Sequence, residues 1–449
     1  MKRRSSDPAA IRGPRAASDG EALLAEILDA PDRDRIPGAR PVVSVHEQED
    51  PTFLAAVEAR RVSAARLSRR GTWHGEWAEL EGPGNGDGLA ELAARWHGAR
   101  PIVLAGIASV EELAAFEDRI AGAEELHGAL QEPRGLRAWL AELAPDLAPE
   151  FLPRAARARL FDEERDLERI LFESVLPPSR AGRAPRGRKV DDLWVKSSWL
   201  SKAEGDASLR VRVSFGRERD DDASGDLLRH RLVAALAARL FPESALVSAN
   251  PPLVQLVEGL IGEPALFTQH IAYWNAPEGG ALFHHDAFAQ DEEESARPGQ
   301  LGVCYLQLSG RTAWLALSIE DLAQRVGEFL DCLSEGDLPW VRAQLLADAT
   351  SAKRMLALSA DLPALVRELA RPGCGVFSEL VNRGPEFTAW LADAGHAAIL
   401  GPGDAILLPN HGIAHTAMHS VFCAGDDVAY SLSLAIRADR EETERWAGP

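Results

Sequence analysis

Phe283-His284-His285-Asp286, and far downstream Pro402-Gly403-Asp404-Ala405-Ile406-Leu407-Leu408-Pro409 running on to His411, His415 and His419, are the stretches on which the reading of this chain turns. His284 and Asp286 are two residues apart, so on a β-strand their side chains leave from the same face. His285, between them, then faces the other way. A third histidine brought in from a distant strand would complete two imidazoles and one carboxylate on one side of a metal. That set leaves the opposite coordination positions open, as in non-haem Fe(II) oxygenases.

The surroundings of these motifs read as a β-barrel. A Gly279-Gly280 turn precedes the first motif, and strand-like runs follow at Gly302 to Leu308, Thr312 to Leu317, Ala405 to Leu408 and Ala429 to Ile436. Ser208 to Phe215 alternates polar and apolar residues, the mark of a half-buried strand, and Phe267 to Trp274 is another strand candidate. Between Ile319 and Leu400 the periodicity is helical, opening with Ser318 and Asp321 as cap residues. A helix is expected near Leu227 to Leu240.

The N-terminal part reads differently. Residues 1–20, rich in Arg, Ser, Pro and Ala, are expected to be disordered. Helical stretches are expected at Glu21 to Leu28 and Phe53 to Leu67, then a Gly-rich break at residues 82–88 and a buried strand at Arg100 to Leu104. Ser109 with Glu112 forms a capping-box signature, and helical character is expected to continue to about Leu176, where Pro177-Pro178 ends it. The resulting division is a disordered terminus at 1–20, a mainly helical region at 21–190, and a barrel at 191–449 carrying a helical insertion at about 319–400.

Composition narrows the function classes. The 449 residues are 46% hydrophobic and 26% charged, with a formal charge of −20, which argues against a nucleic-acid surface over the whole molecule. The basic cluster Arg180 to Lys189 reads as a solvated loop, as do the acidic runs Asp220-Asp221-Asp222 and Asp291 to Glu294. Cys304, Cys332, Cys374 and Cys423 are widely spaced and form no CxxC pair, which suits a reducing cytoplasm. No secretory leader and no membrane span is expected, and the heavy use of Ala, Arg and Gly reads as GC-rich bacterial coding.

The order HxD, then Gln307-Leu308-Ser309-Gly310-Arg311-Thr312-Ala313-Trp314, then Pro402-Gly403-Asp404 to Pro409 with a histidine after it resembles the JmjC and cupin-like family of Fe(II)- and 2-oxoglutarate-dependent oxygenases. The resemblance covers about residues 265–437, interrupted by the helical insertion. It implies an α+β chain built on a double-stranded β-helix (a jelly roll), with Fe(II), 2-oxoglutarate and O2 as cofactor and cosubstrates. It also implies His284, Asp286 and His415 as metal ligands; His415 lies 11 residues past Asp404, whereas His411 comes sooner and His419 a turn later. The expected reaction is hydroxylation of a protein or peptide side chain, an amino-acid-like substrate or another small molecule. The helical regions are expected to shape a substrate groove or a homodimer interface.

Two positions depart from the family's pattern. Thr312 stands where the family commonly places a lysine for the distal carboxylate of 2-oxoglutarate, and Ala281 where a threonine is frequent. Threonine donates one hydrogen bond but carries no charge. Tyr305, Arg437 and Lys196 are the other candidates for the cosubstrate. The departure keeps open two alternatives, a metal-binding cupin module and a dioxygenase that uses no 2-oxo acid.

Overall fold

Period-two alternation of apolar and polar side chains builds the frame, and the computed structural model shows which face each alternation buries. It describes residues 64–67, 73–76, 88–147, 150–154, 166–175, 189–201, 205–216, 225–287, 299–332 and 349–439. The expectations placed on residues 1–20, Glu21 to Leu28, 180–188, Asp220 to Asp222 and Asp291 to Glu294 lie outside these.

In chain order the strands begin with β1 (Ala64–Leu67), β2 (Trp73–Glu76), β3 (Ile102–Leu104), β4 (Phe151–Arg154), β5 (Asp166–Val175), β6 (Lys189–Trp199) and β7 (Leu209–Phe215). They continue with β8 (Ala265–Asn275), β9 (Gly280–His284), β10 (Gly302–Ser309), β11 (Thr312–Ser318), β12 (Ala397–Leu400), β13 (Ala405–Pro409), β14 (Ala417–Cys423) and β15 (Ala429–Ala438). An 11-stranded sheet runs β2-β1-β3-β13-β10-β15-β8-β7-β6-β5-β4, and a 4-stranded sheet runs β12-β11-β14-β9. Every pairing is antiparallel except β1 with β3.

Three cores follow from the alternation. Val303 and Tyr305 of β10 meet Trp314 of β11 and Val421 of β14 between the two sheets. Their neighbours Cys304, Leu306 and Leu308 face the opposite way, into a core shared with the helices Leu227–Leu240 and Pro251–Ile261. Ala313, Leu315 and Leu317 face outward from the small sheet and are covered by the insertion, through Leu322 and Val326 of the helix Ile319–Cys332 and Phe387 and Leu391 of Pro385–Asp393. Mixed helices and antiparallel sheets stacked in this way are consistent with a jelly-roll-like fold.

The local cues at helix starts are realised. Ser109 and Glu112 form the full capping box, and Ser318 Oγ accepts from the Asp321 amide at 2.9 Å. The Asp404 carboxylate builds a turn: it accepts from the amides of Gly106 (2.8 Å) and Gly401 (3.0 Å). Gly403 sits at φ 88°, where a Cβ would come 2.3 Å from the Ala108 carbonyl oxygen.

Three expectations are corrected. The helical reading of 319–400 stops short of Ala397–Leu400, which is β12. Residues 64–67, placed at the end of a helical stretch, form β1, and the helical reading to about Leu176 fails because Asp166–Val175 is β5. Leu167, Ile170 and Leu171 carry helical spacing, but β5 is held between β4 and β6 and fastened by buried ion pairs. Arg137 lies 3.1 Å from Glu168, and Lys196 lies 3.0 Å from Asp166. The large sheet therefore runs through the boundary drawn at 190/191. No helix among the described residues is long and apolar enough to cross a membrane.

Candidate metal centre

β9 carries His284 to the edge of the small sheet, where it pairs with β14. His284 stands directly opposite His419, with ring centroids 4.2 Å apart. The register slips between His419 and Val421, so that β9 spans three residues where β14 spans two. Such a bulge re-aims side chains next to a site. Asp286 follows two residues after His284, just past the strand, and its Oδ2 lies 4.0 Å from His419 Nε2. Ligand atoms of His284, Asp286 and His419 all fall within 4.8 Å of one another.

Both imidazoles are oriented by the same device. His284 Nδ1 lies 2.7 Å from the Leu282 carbonyl, and His419 Nδ1 lies 3.3 Å from the Ala417 carbonyl, each two residues upstream. A carbonyl can only accept, so each Nδ1 carries the proton and each Nε2 keeps its lone pair. Burial lowers the pKa of His419 to about 3, helped by His284 and opposed by Asp286. Burial also lowers His284, again opposed by Asp286. Neutral imidazoles beside a carboxylate are a donor set that suits a divalent transition metal.

The insertion braces the ligand strand from behind. Asn382 Oδ1 accepts from the Phe283 amide at 2.8 Å, and the Phe283 side chain is buried among insertion residues, Phe377 included. His285 faces away from the pair, as the alternation expects, with Nε2 2.9 Å from the Ala370 carbonyl. On the inner side the Trp314 indole stacks on His419 at 5.8 Å between centroids. Its Nε1 donates to Thr312 Oγ1 at 2.9 Å, Thr312 donates to Gln307 Oε1 at 2.7 Å, and the Tyr305 hydroxyl donates to the same oxygen at 3.2 Å.

The sequence-derived ligand set is corrected at one position. His415 is not in the cluster: it sits in the short turn Ile413–His415, 59% exposed, with Nδ1 3.6 Å from Glu320 Oε1. The chain bridges Asn410 to Thr416 before β14 begins, so the turn consumes the spacing that pointed to His415. His419 is the histidine that arrives on the strand. His411 is elsewhere, its Nε2 3.0 Å from the Trp96 carbonyl.

Among the cosubstrate candidates, Tyr305 and Thr312 lie one indole ring away from His419, and the Thr312 hydroxyl is committed to Gln307. Lys196 is fully buried on β6 against Asp166, and Arg437 is buried near the end of β15, level with Leu266. Sequence reasoning missed Arg210 on β7, paired between Ser198 and Tyr273, whose positive charge reaches His284 and helps lower its pKa. The signal was present: Arg210 lies on the polar side of an alternating strand, and on that side Arg212 and Ser214 are buried.

No family model matches the chain, and no curated protein sequence does either. Among solved structures it is similar to the non-heme alpha ketoglutarate dependent epimerase SnoN from nogalamycin biosynthesis, at 14% identity and TM-score 0.30 over 78% of this chain and 83% of that one. SnoN in complex with Fe3+, alpha ketoglutarate and nogalamycin RO gives 14% and 0.30 over 80% and 91%. AviO1 from Streptomyces viridochromogenes Tue57 gives 12% and 0.27 over 78% and 95%.

Proposed function

We propose that this chain is an Fe(II)- and 2-oxoglutarate-dependent oxygenase built on a double-stranded β-helix, its metal held by His284, Asp286 and His419. The observation that carries the reading is the convergence of three ligand atoms within 4.8 Å, with both imidazoles fixed by carbonyls as Nε2 donors. One carboxylate and two neutral imidazoles leave a divalent ion with one net positive charge, which an anionic 2-oxo acid complements. Iron held by these three residues would supply the oxidising chemistry that hydroxylation needs.

The chain's own part is orientation and exclusion of water. Trp314 covers the inner edge of His419, and the Thr312–Gln307–Tyr305 hydrogen bonds hold that indole in place. Arg210, whose charge acts on His284, is the cation proposed to take the distal carboxylate that Thr312 cannot neutralise. Hydroxylation of a protein or peptide side chain, or of an amino-acid-like small molecule, is the proposed reaction.

Thr312, engaged with Gln307 where the family carries a lysine, favours a second reading: a metal-binding module, or an oxygenase that needs no 2-oxo acid. Anaerobic titration of 2-oxoglutarate into the Fe(II)-loaded protein separates the two. A saturable visible charge-transfer band, absent in His284→Ala, is expected. Iron bound at the site with no such band would overturn the 2-oxoglutarate reading in favour of the second.

A further inference from the structure

On the opposite side of the large sheet from the metal centre lies a cavity of about 530 Å3, formed where the helices Ala123–Gln131 and Gly135–Glu142 meet β15. The alternation of β15 separates the two sites: Ser431, paired between Gln307 and Tyr273, lies on the inner face, whereas Tyr430 belongs to the helix-side core and lies at this cavity's floor. The volume is that of small-molecule pockets, about 300–1,000 Å3.

The floor is a buried charged group already in balance. Glu243, 1% exposed, accepts from the Tyr430 hydroxyl and from Arg119 Nε at 2.8 Å, while Arg119 Nη2 donates to the Leu240 carbonyl at 2.6 Å. The walls are apolar, supplied by Leu126, Ala129, Ala138 and Trp139. Three exposed carboxylates, Glu125, Glu132 and Glu142, stand at the mouth. Four carboxylates thus face one guanidinium that has two of its three nitrogens engaged.

We propose that this cavity binds a small organic cation, an amine with an aromatic or short aliphatic body. A concave site with low-dielectric walls focuses the potential of its charges, and here the excess is negative. Trp139 and Tyr430 are buried, the Tyr430 ring stacked on Trp274, so the ammonium is drawn by the glutamates at the mouth while Leu126, Ala129 and Ala138 take the apolar body. An anion would have to pass three glutamates to reach an arginine already held by Glu243. The site stands independently of the metal chemistry.

Isothermal titration of the full chain with 2-phenylethylammonium, 2-phenylethanol and 3-phenylpropanoate tests this. The ammonium is expected to bind saturably, about tenfold tighter than the alcohol, with the carboxylate weakest. Neutralising the mouth in Glu125→Gln/Glu132→Gln/Glu142→Gln should cut ammonium affinity by roughly tenfold and reduce its salt dependence. Filling the cavity with Ala129→Trp, or separately Ala138→Trp, should remove binding, and both positions are exposed enough to accept the ring without unfolding the chain. Ammonium binding no tighter than the alcohol, binding unchanged in both tryptophan variants, or no saturable binding by any of the three probes would overturn the proposal.

Discussion

At the scale of single residues, the site turns on which histidine joins His284 and Asp286. His419→Ala should lower affinity for a divalent metal by roughly a hundredfold or more, while His415→Ala should leave it unchanged, as read by metal titration of the two proteins. Equal losses in both, or a loss confined to His415→Ala, would contradict the geometry. Arg210→Met should retain the metal but raise the 2-oxoglutarate concentration for half-saturation of the charge-transfer band by about ten- to a hundredfold, the weight of a charge-assisted hydrogen bond. His284 and Asp286 were legible in the sequence because a spacing of two puts both on one strand face. The histidine that joins them was less so, because counting from Asp404 cannot show that residues 410–416 close a turn before the strand begins. Arg210 was hidden by the ordinary assumption that the polar face of an alternating strand meets solvent.

At the scale of elements, the ligands depend on how tightly β9 lies against β14. Gly280 permits that approach: a Cβ there would stand 2.0 Å from the Val421 carbonyl oxygen and 2.7 Å from the Phe422 Cα, both backbone atoms with little freedom to yield. Gly280→Ala should therefore destabilise the fold by about 1–3 kcal/mol and weaken metal binding at the same time. Gly327, inside the helix Ile319–Cys332, has nothing within 4 Å of the same added atom, so Gly327→Ala should stabilise by about 0.5–1 kcal/mol and leave the metal untouched. Thermal melts and metal titrations of the pair check both statements. Strands with a clear period of two, such as β7, β8, β10, β11 and β15, were legible, and so were the described helices of the insertion, though not β12 at its end. β5 was not, because its local spacing favours a helix and only non-local ion pairs and strand partners decide otherwise.

At the scale of the whole molecule, buried histidines make stability depend on pH. His270, 2% exposed on β8, has its pKa lowered to about 4 by burial. His396 is lowered to about 4 as well, by burial first and then by Arg325. Both folded values lie below the unfolded 6.5, so between about 4 and 6.5 the unfolded chain binds more protons than the folded one. Folding stability is then fully present above 6.5, falls as the pH drops through that window, and levels off once both states are protonated below about 4. At 1.36 kcal/mol per pKa unit the His270 share is about 3 kcal/mol; the share of His396, which is partly exposed, is smaller. Urea unfolding of the wild-type chain and of His270→Gln at about pH 7.5 and about pH 3.5, values chosen to bracket this window, isolates the effect. Every other titrating group cancels in the difference, so the variant should lose about 3 kcal/mol less than wild type on acidification even if it starts less stable. Parallel losses in the two proteins would mean that His270 takes up its proton in the folded state and contributes nothing to acid sensitivity.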